Sequence, residues 1–75
     1  MVEAEVHTVM LTVREIRGVD VAYLYRGPLP VRGQEIEVES EFKPADHRRA
    51  RVTQITGTYG PVGERPLIHA HEIEP

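Results

Sequence analysis

The residues best equipped for chemistry are the two histidines near the end of the chain. His69 and His71 are separated by one residue. Alternate positions on a strand face the same way, so both imidazoles can approach one metal ion. Two nitrogens do not make a tight site, and His7, His47 or a glutamate would have to complete the shell. The same spacing arises on any exposed strand, here flanked by Glu72 and Glu74, and the solvated reading of the pair is favoured.

A second constellation is the run His47-Arg48-Arg49-x-Arg51, with Arg65 and Arg32 elsewhere in the chain. Guanidinium groups beside the aromatic ring of Tyr59 can grip phosphate and stack a base, the chemistry of a nucleic-acid face. Glu35, Glu37, Glu39 and Glu41 alternate on the preceding segment and would neutralise much of that field. An ion-paired, solvated sheet face is therefore the stronger expectation for Arg48, Arg49 and Arg51.

Two loops carry weaker signals. In GPLPVRG, Pro28 and Pro30 flank Leu29 and precede Val31 and hold the backbone extended, which suits a stiff connector or a recognition loop at a barrel rim. The GTYGPVGERP segment is rich in glycine, but a phosphate cradle needs a following helix N-terminus, and no helix pattern follows. Catalysis is not expected. The carboxylates alternate along a strand instead of converging, Ser40 is the sole serine, and no cofactor fingerprint is present.

Composition narrows the setting. A chain of 75 residues makes one domain spanning 1–75, with a small core. There is no cysteine, which removes disulfides, thiolate metal sites and thiol nucleophiles together. A net charge of −3 lacks the overall basic field of most nucleic-acid binders. The first residues carry glutamates ahead of any apolar stretch and no basic leader, and no run is long enough to span a bilayer. The expectation is a cytoplasmic protein without a membrane partner.

These residues must be positioned by strands. Period-two patterns recur, the helical template fails, and glycine or proline punctuates the segments, so the spacing predicts five strands. The first, about Val2 to Ile16, changes phase. Val2, Ala4 and Val6 share one parity and Val9, Leu11 and Val13 the other, which predicts a β-bulge near His7 to Val9. The second, Val19 to Tyr25, sets Val19, Val21, Tyr23 and Tyr25 on one face, with Asp20, Ala22 and Leu24 on the other. Ala22 and Leu24 are unusually apolar for a solvated face, which marks this strand as covered on both sides or as an interface.

The third strand, Gln34 to Glu41, turns Ile36 and Val38 inward. The fourth, Arg48 to Thr56, does the same with Ala50 and Val52, and Ile55 breaks the phase, predicting a bulge near Thr53 to Gln54. Pairing Glu39 with Arg49 and Glu37 with Arg51 would satisfy both faces across a turn at Lys43 to Asp46. An irregular loop is expected over Gly57 to Pro66. The last strand, Leu67 to Glu74, packs either Ile68 and Ala70 or Leu67 and Ile73 inward.

The expected fold is an all-β, small, five-stranded and partly open barrel. A short link between the third and fourth strands favours an SH3-like over an OB-like form, because an OB-fold usually carries a helix there. The leading functional expectation is a non-enzymatic module that binds a protein partner or itself. Its surface would be Val19, Val21, Ala22, Tyr23, Leu24 and Tyr25 with Leu29 and Val31. The alternatives are the nucleic-acid face of Arg48, Arg49, Arg51, Tyr59 and Arg65, and the metal pair His69 and His71.

Overall fold

The computed structural model describes residues 5–43, 45–60 and 63–73, with 58–60 and 63–65 described through their backbone alone. Val2, Ala4, Pro44 and Glu74, and the side chains of Tyr59 and Arg65, therefore lie outside the described residues. Five strands form: β1 (Val6–Thr12), β2 (Asp20–Arg26), β3 (Glu35–Ser40), β4 (His47–Gly60) and β5 (Gly63–Glu72). They close into a barrel in chain order. Each sequential pair is antiparallel, and in a meander with an odd number of strands the first and last must run the same way. The closing ladder between β1 and β5 is accordingly parallel, from Val9 opposite Ile68 to Thr12 opposite His71. The ring is thus closed, although the β2–β3 ladder is only two pairs long, Tyr23 with Ser40 and Leu24 with Glu39.

Alternation decides the core. Val9, Leu11, Val13, Tyr23, Ile36, Val38, Ala50, Val52, Ile68 and Ala70 are buried together. Val9, Leu11, Val38, Val52 and Ile68 are the largest side chains sealed from solvent. Each contributes roughly 1.5–3 kcal/mol over an exposed position. The Ile68 and Ala70 alternative for β5 is the one adopted, which leaves Leu67, His69 and His71 facing outward. The predicted bulge in β4 is present: the β4–β5 register shifts between Val52 and Gln54, skipping Thr53. That shift is what restores Ile55 to the core side, where it packs against the cluster.

Three local expectations need correction. The β1–β2 register runs without interruption from Val6 opposite Arg26 to Thr12 opposite Asp20, so the described part of β1 has no bulge. His7 keeps the inward parity instead. Its ring stacks on Tyr25, its cross-strand partner, with centroids 6.2 Å apart, and Val6 points outward. The β3–β4 register lies two residues from the expected one, with Glu37 opposite Arg49 and Glu35 opposite Arg51. Ser40 N donates to Asp46 O and Asp46 N to Lys43 O, fixing a six-residue link, 41–46, that sets this register. A shift of two keeps every residue on its expected face, so the core pattern alone does not choose between the registers.

The third is the irregular loop expected over Gly57 to Pro66: within it 57–60 and 63–66 are strand, and Pro61 and Val62 lie outside the described residues. β4 and β5 stay paired out to Gly60 opposite Gly63. Pro66 fits because this part of β5 lies beyond its ladder with β1, leaving one side of the strand without a ladder partner that a proline N would have to serve.

Candidate functional site

Outward positions on β2, β1 and β5 carry an apolar stripe set among polar side chains. On β2 they are Asp20, Ala22, Leu24 and Arg26; on β1 they are Val6, Thr8, Met10 and Thr12. The ladder sets Leu24 beside Thr8 and Ala22 beside Met10, and Met10 is also beside His69 of β5. Ala22, Leu24, Met10 and Leu67 are half-buried, and Val6 is exposed. The stripe is bordered by charge at both ends of β2. Asp20 accepts a hydrogen bond from Thr12 Oγ1 at 2.9 Å, and Arg26 pairs through Nε with Glu39. That bond holds the Glu39 carboxyl below its ordinary range.

The structure divides the expected protein-binding residues by role. Tyr23 is 4% exposed and belongs to the core, with Val21 and Tyr25 packed against it. Ala22 and Leu24 are on the outer face, and Val19 is exposed at the rim before β2. Leu29 and Val31 project from the β2–β3 connection. That connection is fastened at several points: Gly27 N to Glu5 O at 2.8 Å, Gly33 N to Val52 O at 2.8 Å, and Val31 N to the Gln34 side chain at 3.1 Å. Met10, Val6 and Leu67 join the stripe although the sequence pattern did not single them out. The signal was present in the alternation of β1, where Met10 sits between Val9 and Leu11.

The arginine run separates in the same manner. Arg48 shares parity with Ala50 and Val52, so its side chain extends over one end of the barrel instead of standing on the sheet face. Nε donates to Asp46 Oδ1 at 3.0 Å, and Nη1 meets both oxygens of Glu15 at 2.8 and 2.9 Å and Glu72 Oε1 at 2.9 Å. The guanidinium lies 5.7 Å from the centre of the Tyr23 ring. Tyr23 donates its hydroxyl proton to Asp46 Oδ2 at 2.9 Å, and Arg14 N donates to Glu72 Oε1 at 3.1 Å.

One cation thereby ties the turn after β1, the start of β4 and the end of β5 across the ring of a β2 residue. The Asp46 carboxyl is held below its usual value by Arg48 first and Tyr23 second. Burial first, and the bond to Asp46 second, push the Tyr23 hydroxyl up to about 12. The Arg48 guanidinium is raised further, chiefly by Asp46 and then by Glu15.

Arg49 and Arg51 do face outward. Arg51 Nη2 pairs with Glu35 Oε1 at 2.9 Å, and His47 Nδ1 approaches Glu37 Oε1 at 3.5 Å. Two shallow open grooves meet here, at Glu37 and Arg49. One of about 310 Å³ is lined by Glu37, His47, Arg48, Arg49, Glu72 and Ile73, and one of about 210 Å³ by Glu35, Ile36, Glu37 and Arg49. Both hold acid and base together, so they offer no basic track.

The two histidines share the outward face of β5. His69 Nε2 is 3.0 Å from Thr56 Oγ1, while His71 is exposed. Among the described residues no group of three or more His, Asp or Glu side chains converges to hold a metal ion. No helix among them is long and apolar enough to cross a membrane.

The chain matches no protein-family model, and searches against curated proteins and solved structures return no match.

Proposed function

We propose that this barrel is a non-enzymatic binding module that engages a protein through the outer face of β2 and β1. The observation that carries this reading is the half-buried apolar group Leu24, Ala22 and Met10, with Leu67 outward on β5, on the convex side of a barrel that already has its core inside. A solvated outer face gains nothing from leucine and methionine, whereas a contact surface gains about 25 cal/mol for each Å² of apolar area it covers. The nucleic-acid alternative draws less support, because Arg48 is engaged by three carboxylates and Arg51 by Glu35.

The test compares Leu24→Glu with Arg49→Ala as tagged baits in native lysate, with protein and nucleic acid both identified after elution. Loss of a protein partner with Leu24→Glu and its retention with Arg49→Ala is the expected result. Nuclease-sensitive nucleic acid lost with Arg49→Ala would overturn the reading in favour of the arginine face.

A further inference from the structure

Resting on that reading of the β2 face, the geometry points to a second copy of this chain as its occupant, packed face to face with the two β2 strands antiparallel. The outward residues of β2, in order, are Asp20, Ala22, Leu24 and Arg26. About Tyr23 this series is complementary to its own reversal. Acid at one end answers base at the other, and a small side chain answers a large one. A two-fold axis lying between two such faces, perpendicular to the strands at the level of Tyr23, sets Asp20 against Arg26 of the second copy and Ala22 against its Leu24. Each contact then occurs twice, as an isologous interface requires.

The neighbouring strands carry the same relation. Val9 is the cross-strand partner of both Tyr23 and Ile68, so the axis level continues across β1 and β5. On β1 the operation sets Thr8 against Met10 of the second copy, again small against large. On β5 it sets Leu67 against His69. A parallel stack of β2 on β2 would instead oppose Asp20 to Asp20 and Arg26 to Arg26, so charge selects the antiparallel arrangement. Arg26 has donors for it, because its bond to Glu39 uses Nε and leaves the terminal nitrogens for a second carboxylate.

Sedimentation equilibrium of the full chain tests this, alone and with charge-reversed variants. The wild type is expected to show a reversible monomer–dimer equilibrium. Asp20→Arg alone opposes arginine to arginine, and Arg26→Asp alone opposes aspartate to aspartate, so each is expected to dissociate about tenfold more readily. An equimolar mixture pairs Arg with Asp at both symmetry-related contacts and is expected to recover wild-type affinity.

Because the chain has no cysteine, a second measurement stands apart from charge. Ala22→Cys mixed with Leu24→Cys is expected to cross-link as a heterodimer in clear excess over either variant alone. A wild type that stays monomeric at all concentrations, or a mixture that dissociates as readily as its components, overturns self-recognition. The binding-face reading fails separately, when Leu24→Glu retains its captured partner.

Discussion

Replacing Arg48 with methionine removes the guanidinium that joins the turn after β1, the start of β4 and the end of β5, while keeping an unbranched stem over the Tyr23 ring. The expected loss can be built from the contacts. Glu15 is 61% exposed on its side chain, so its pair with Arg48 is worth under about 1 kcal/mol. Asp46 and Glu72, with side chains 27% and 16% exposed, are more shielded, and each charge-assisted bond to them contributes about 1–2 kcal/mol. Without the arginine, these two carboxylates also lose the guanidinium they share.

The sum is about 2–5 kcal/mol, which for a domain of this size lowers Tm by about 8–40 °C. Arg49, the next residue, faces outward, and Arg49→Met is expected to change stability by less than about 0.5 kcal/mol. Thermal and urea unfolding followed by far-ultraviolet circular dichroism reads both. An Arg48→Met variant that melts with the wild type, or no lower than Arg49→Met, would refute the account of this cap.

Three further perturbations follow from the structure. The Tyr23 hydroxyl titrates near 10 when unfolded and about 12 when folded, so its contribution is complete below pH 10 and is lost as pH rises toward 12. Urea unfolding across that window is expected to show a fall of about 2–3 kcal/mol, absent in Tyr23→Phe. Asp46 has the opposite sign: its folded value lies below the ordinary 3.8, so its stabilisation is present above that pH and disappears as pH falls through the folded value. Asp46→Asn is expected to flatten the acid limb of a stability–pH profile. Gly27 has φ +140°, and a Cβ there would meet the Tyr25 hydroxyl at 3.0 Å. Gly27→Ala is expected to cost more than about 1 kcal/mol in chemical denaturation, because strain and crowding act together.

What could be read from the residues was what a period of two specifies. Ile36, Val38, Ala50 and Val52 reach the core as their alternation requires, and the conflict between Val52 and Ile55 marked a real bulge. The bulge expected in β1 failed because a histidine can occupy an inward position when an aromatic partner covers it, as Tyr25 covers His7. The β3–β4 register was missed by two because hydrogen bonds in the 41–46 link choose it, and alternation is blind to a shift of two. The role of Arg48 depends on Glu15 and Glu72, which lie 33 and 24 residues away in the chain. Its parity with Ala50 was legible; its partners were not. The apolar outer face was visible at Ala22 and Leu24, whereas Met10 joined it only once the β1–β2 register was known.

Amide chemical-shift mapping by NMR over a dilution series of the chain alone tests whether the β2 outer face is where two copies meet. Concentration-dependent shifts are expected to be confined to Thr8, Met10, Ala22 and Leu24 and their neighbours at Asp20 and Arg26, with His47, Arg49 and Arg51 unmoved. Shifts centred on His47, Arg49 and Arg51, with the β2 outer face silent, would contradict it.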